Sequence, residues 1–146
     1  MQIRTVSVLG AGAWGTALAN VAARAGHQVS LWGRDASAMR TLARTRENPH
    51  LPGVALDAGV TPLSDLGAAA SADLLLAVVP AQATRDLAQR LGGLVARGKP
   101  IVLCSKGIER DTGLFMSEVL AKTLPDNPAA VLSGPSFAAA PRSLRG

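Results

Sequence analysis

The chain has 146 residues, 48% of them hydrophobic and 17% charged, with one cysteine and a formal net charge of +5. This length supports one domain and leaves no room for a second full one, while the apolar content excludes a disordered or collagen-like chain and the lone thiol excludes a disulfide scaffold. The positive charge does not imply nucleic acid: the arginines from Arg24 to Arg110 are scattered, no basic run occurs, and only Trp14, Trp32, Phe115 and Phe137 have rings suited to base stacking.

The first element is a short apolar run opening at Arg4 and holding Val6, Val8 and Leu9; it is too brief for a helix and reads as a buried parallel strand. Gly10, Gly12 and Gly15 then interrupt the apolar stretch to Ala25, which excludes a secretory signal. Over residues 13–25, Leu18, Val21, Ala22 and Ala25 recur at helical spacing, with Gly26 and His27 as a stop. Residues 28–32 form a second strand, and Asp35 or Ser37 caps a helix running to about Arg46. Residues 46–59 contain Asn48, Pro49, Pro52 and Gly53, a punctuated loop long enough to be functional.

Residues 59–61 suggest a short third strand, and Ser64 a cap for a short helix reaching Ala70. Residues 73–79 make a continuous apolar strand ending at Pro80, and 81–95 a helix with Leu87, Leu91 and Leu94 on one face. Asp73 and Pro80 break the longest apolar stretch of this half, so no membrane span is expected. A strand at 101–104 follows, then a helix capped by Thr112 with Phe115, Met116, Val119 and Leu120 inward, then a last strand at 130–132. Alternating strands and helices predict one α/β domain, a doubly wound and mostly parallel Rossmann-type sheet over residues 1–138, with 139–146 an atypical tail.

Gly10-Ala11-Gly12-Ala13-Trp14-Gly15 fits G-x-G-x-x-G between a strand and a helix. In that setting Gly10 permits the tight turn, Gly12 lets backbone approach a pyrophosphate, and Gly15 lets helix and strand pack closely. The second strand ends Leu31-Trp32-Gly33-Arg34-Asp35. Arg34 suits the 2′-phosphate of NADP, whereas Asp35 suits the ribose hydroxyls of NAD or caps the next helix. Lys106, in the tight turn Cys104-Ser105-Lys106-Gly107-Ile108-Glu109, reaches a phosphate or a substrate hydroxyl, or else pairs with Glu109 at the surface. Ser133-Gly134-Pro135-Ser136-Phe137 forms another loop past a strand end, suited to an anionic small substrate. Trp14 is assigned to the cofactor side and Cys104 to the buried interior, and His27 and His50 find no partner spacing that makes a metal site.

Together, Gly10 to Ala19, Leu31 to Asp35, Asn48-Pro49-His50-Leu51-Pro52, Ser105 to Glu109 and Ser133 to Ala138 resemble the bacterial NAD(P)-dependent glycerol-3-phosphate dehydrogenases over nearly the whole chain. The resemblance implies cytoplasmic interconversion of sn-glycerol 3-phosphate and dihydroxyacetone phosphate with NADP or NAD, feeding glycerophospholipid synthesis. It implies dinucleotide contacts at Gly10, Gly12, Ala13, Trp14, Gly15, Arg34, Lys106 and Ala138, and substrate contacts at Lys106, Gly134 and Ser136. His50 stands where the family commonly has an aromatic residue. Family members continue into a helical domain carrying the lysine that moves the hydroxyl proton, whereas this sequence ends Ala139 to Gly146. On this resemblance the chain is the cofactor-binding half, with no catalytic residue of its own, little turnover alone, and an apolar face prone to self-association. The other readings are a related β-hydroxyacid or ketopantoate-type reductase and a non-catalytic dinucleotide-binding module.

Overall fold

The computed structural model describes residues 2–105 and 107–132. Six strands, β1 (Thr5–Leu9), β2 (Gln28–Trp32), β3 (Val60–Leu63), β4 (Leu74–Ala77), β5 (Ile101–Leu103) and β6 (Ala129–Val131), form one sheet in the order β3-β2-β1-β4-β5-β6. Every pair is parallel rather than most of them, in register Val6 with Val29 and Leu74, and Leu75 with Ile101. The strand order reverses direction at β1, so loops after β1 and β4 part there and leave a crevice at the carboxyl ends.

Alternation along β1 sends side chains to two separate cores. Val6 and Val8 pack with Ala19 of α1 (Ala13–Arg24) and with Met39 and Leu42 of α2 (Ala36–Thr45). Leu9 joins Ala69 of α3 (Leu66–Ala70), Leu87 and Leu91 of α4 (Thr84–Leu91), and Met116, Val119 and Leu120 of α5 (Met116–Thr123). Ser7 is fully buried, and its hydroxyl donates to the Ala69 carbonyl at 2.6 Å. At the opposite end of the sheet, Asp73 Oδ2 accepts the Arg4 and Thr5 amides at 2.8 and 3.1 Å, and these bonds lower its carboxyl pKa.

Several boundaries differ from the sequence reading for identifiable reasons. The helix expected over 81–95 is a 3₁₀ turn (Ala81–Ala83) followed by α4, which ends at Gly92; Gly93, with φ +82°, follows, and Leu94 is exposed. Asp65, not Ser64, caps α3, accepting from Gly67 N. Thr112 does not cap α5: Phe115 holds that position, exposed rather than inward, and its amide donates to Glu118 Oε1 at 3.2 Å. In α1 the sheet-facing residues are Gly15, Thr16, Ala19 and Asn20, while Val21 and Ala25 point outward. A helix that must lie close to the sheet presents small side chains to it.

Candidate functional site

Residues 10–12 turn the chain from β1 into α1 at the switch in strand order. Gly10 adopts φ +128°, and its amide donates to the Trp32 carbonyl at 2.9 Å. A Cβ on Gly10 would run into the Val78 carbonyl, and one on Gly15 into the Gly10 carbonyl. A Cβ on Gly12 would meet no atom within 4 Å. Two of these glycines are therefore required by the protein's own backbone, and the third keeps open ground before a helix of 12 residues. N–H groups and the positive dipole end at such a terminus attract phosphate oxygens.

The turn is braced from the loop after α2. Asn48, only 4% exposed, donates from Nδ2 to the Ala11 carbonyl at 2.9 Å and to Thr16 Oγ1 at 2.8 Å. Thr16 in turn donates its hydroxyl to the Gly12 carbonyl at 2.8 Å. The Asn48 Oδ1 accepts the His50 amide at 3.0 Å, which fixes the orientation of the carboxamide. Backbone on both sides of Gly12 is thus held by buried side chains, which lowers the conformational cost of receiving a ligand there.

Two cavities flank the turn. One, of about 860 Å³, lies between α2 and the loop bearing Asn48, Pro49 and His50. The other, of about 250 Å³, lies toward α4, with Trp32, Val79, Pro80 and Leu87 as apolar walls. Ala11, Gly33 and Arg34 line both. A Cβ on Gly33 would meet Met39 Sδ and approach Ala11 Cβ to 3.2 Å, so a side chain there requires Met39 to move. Arg34 Nη2 pairs with Asp86 Oδ2 of α4 at 2.7 Å. The Asp35 carboxylate accepts the Ala38 amide at 3.1 Å and caps α2. Arg90 lies 5.5 Å above the Trp32 ring, whose Nε1 donates to the Ser64 carbonyl at 3.1 Å. Trp14, in the first turn of α1, lines a separate groove of about 500 Å³ with Leu18, Val21, Leu51, Val54 and Leu132.

The loop after β5 is anchored to α4. Glu109 accepts Arg85 Nε and Nη2, both at 2.9 Å, and the Thr112 hydroxyl at 2.6 Å. Arg85 above all, then Thr112, holds the Glu109 carboxyl at about 2, below its ordinary 4.5. Gln82 bridges the same segment, donating to the Ile108 carbonyl and accepting the Arg110 amide, both at 3.0 Å. Ser105 donates its hydroxyl to the Val79 carbonyl, joining the loops after β4 and β5. Cys104 is 8% exposed, and burial pushes its thiol up to about 11.

Of the residues singled out in the sequence, Gly10 and Arg34 line the crevice, Gly12, Ala13 and Gly15 form the turn and helix start beside it, and Trp14, expected on the cofactor side, lines the separate groove instead. Lys106, Gly134, Ser136 and Ala138 lie outside the described residues. Sequence reasoning did not single out Asn48 for bracing, Gly33 for close packing, or Asp86, Gln82 and Arg85. Asn48 and Gly33 stand inside quoted motifs, but their roles depend on contacts with Thr16 and Ala11 and with Met39 and Ala11, and Asp86, Gln82 and Arg85 act through partners distant along the chain.

A family model described as the NAD-dependent glycerol-3-phosphate dehydrogenase N-terminus matches residues 5–140. The chain is 54% identical over 134 residues to a glycerol-3-phosphate dehydrogenase (NAD(P)+) of Azorhizobium caulinodans, covering 91% of this chain and 41% of that protein. It is 53% identical over 137 residues to the enzyme of the same name from a Bradyrhizobium species, covering 94% and 42%. Among solved structures, a glycerol-3-phosphate dehydrogenase from Coxiella burnetii superposes with a TM-score of 0.86 at 32% identity, over 93% of this chain and 42% of that one. A PanE/ApbA family ketopantoate reductase from Ralstonia eutropha gives a TM-score of 0.70 at 25% identity, over 87% and 40%. The chain spans about two fifths of the length of the curated relatives it matches.

Proposed function

Since the chain belongs to the NAD-dependent glycerol-3-phosphate dehydrogenase family through its N-terminal region, we propose that residues 1–138 hold NADP or NAD for oxidoreduction of sn-glycerol 3-phosphate. The observation that carries this reading is the open ground at Gly12, kept by a turn in which Gly10 and Gly15 admit no side chain. The start of α1 receives the pyrophosphate through the backbone at Gly12, Ala13 and Trp14. Arg34 addresses the adenosine end and the 2′-phosphate of NADP, and Asp35 holds α2 in place behind it. Lys106 and Ala138 are assigned to the dinucleotide, and Lys106, Gly134 and Ser136 to the substrate.

In the reaction sn-glycerol 3-phosphate gives a hydride from C2 to NAD(P)+ and a proton from its hydroxyl, leaving dihydroxyacetone phosphate, NAD(P)H and H+. The contribution of this chain is binding and orientation, and none of its residues is assigned the proton transfer. A cytoplasmic place in glycerophospholipid synthesis accompanies the reading through the family; separately, no helix among the described residues is long and apolar enough to cross a membrane. Self-association through the groove beside α1 is part of the same proposal, supported by exposure of Val21, Val54 and Leu132. Fluorescence titration of NADPH and NADH into the purified chain tests the core of it. Saturable binding that Gly12→Ala weakens at least about tenfold is expected; no binding by a chain folded by circular dichroism overturns it.

A further inference from the structure

Arg34 is not a solitary cation at the end of β2. Its guanidinium meets the Asp86 carboxylate, 52 residues further along the chain, at 2.7 Å, and both residues line the cavity of about 250 Å³. Both side chains are well exposed, at 72% and 57%, so the pair lines the cavity without being buried by it. The apolar part of the lining is Trp32, Val79, Pro80 and Leu87, side chains of the kind that receive a purine ring. The charged groups facing this rim are Arg34, Asp86 and Arg90, with Asp35 adjacent and engaged at the start of α2.

Resting on the reading of this crevice as an NAD(P) site, we infer that Asp86 sets the preference between NADPH and NADH by competing with the 2′-phosphate for Arg34. A 2′-phosphate has to take the guanidinium from a carboxylate already in contact with it, and then lie beside that carboxylate's negative charge. The neutral 2′-hydroxyl of NADH gains little from Arg34 and loses little to Asp86. Because the pair is exposed, its grip is modest, and the result is an ambivalent site rather than one closed to NADPH. Asp86 is a specificity-determining residue on α4, in the half of the sheet opposite the strand that carries Arg34.

The test is the ratio of NADPH to NADH dissociation constants, read by titration of the 146-residue chain, for wild type, Asp86→Asn and Arg34→Ala. Asp86→Asn keeps size and helix-start chemistry and removes only the charge. It should tighten NADPH about three- to tenfold while moving NADH less than about twofold. Added salt should narrow the gain, as expected for an exposed charge. Arg34→Ala should weaken NADPH and leave NADH nearly unchanged, which raises the ratio. Asp86→Ser is measured in parallel, with circular dichroism, so that one misfolded variant does not decide the matter. A wild-type ratio in both Asp86 variants, beside a raised ratio in Arg34→Ala, overturns the role of Asp86 and leaves the cofactor site standing. An unchanged ratio in all variants, or no binding by the folded wild-type chain, overturns the assignment of Arg34 and this inference together.

Discussion

Asn48 Nδ2 donates to Thr16 Oγ1 at 2.8 Å, joining the loop after α2 to the second turn of α1 across 32 residues of sequence. Both residues are buried, and the same nitrogen reaches the Ala11 carbonyl. Removing the carboxamide therefore strands a buried acceptor and loosens the glycine turn at once. Asn48→Ala should lower unfolding free energy by about 2 kcal/mol and weaken NADPH binding. Asn48→Asp should cost more than alanine, because it turns a carboxylate oxygen toward a carbonyl. Denaturant titration beside nucleotide titration checks both, and an alanine variant as stable as wild type would sink the bracing role.

The three glycines of the turn should separate by assay. Gly15→Ala forces a methyl into the Gly10 carbonyl and should cost at least about 3 kcal/mol of stability or prevent folding. Gly12→Ala, with φ −80° and open space around its Cβ, should stay within about 1 kcal/mol of wild type. On the proposed reading its methyl stands where the pyrophosphate approaches, so nucleotide affinity should fall at least about tenfold. A Gly12→Ala chain that binds normally would refute the assignment of that space.

Glu109 gives stability a pH dependence of known sign. Its folded carboxyl titrates near 2, below the ordinary 4.5, so its contribution is complete above about 4.5 and disappears as pH falls toward 2. Glu109→Gln keeps the shape without the charge. The melting temperature of wild type should exceed that of the variant by a constant margin at pH 5–7, and the margin should close between about 4.5 and 2. Asp73 also titrates low and destabilises on acidification, but it is common to both proteins and cancels in the comparison. A margin that persists at pH 2 contradicts the ion pair as its source.

The Cys104 thiol, at about 11 and buried, is about one part in a thousand thiolate at pH 8. Reaction with a disulfide reagent should be at least about 100-fold slower in the folded chain than in guanidinium. Rapid modification of the native protein would place the thiol at the surface.

The strands were legible because a parallel sheet covered on both faces makes its strands short apolar runs, as Val6 to Leu9 and Leu74 to Ala77 are. The glycine turn was legible because its spacing is a local steric solution. The face of α1 was not: Leu18 and Val21 carry the apolar periodicity, yet close packing against the sheet selects Gly15, Thr16, Ala19 and Asn20. Phe115 misled in a similar way, as a large apolar residue that in fact precedes its helix in the open. Asn48, Asp86 and Arg85 escaped because their partners lie 24 to 52 residues away, and only the folded sheet brings them together.

The central position of β1 also bears on how the chain is made. Its two neighbours are completed at very different times: β2 ends at Trp32, whereas β4 ends only at Ala77. While the intervening residues leave the ribosome, one edge of Thr5–Leu9 has bare amides and carbonyls on a segment rich in strand-forming side chains. The strand best protected in the finished domain is thus the one exposed longest during translation, and a nascent chain paused before residue 74 presents an adhesive edge to any neighbour or chaperone.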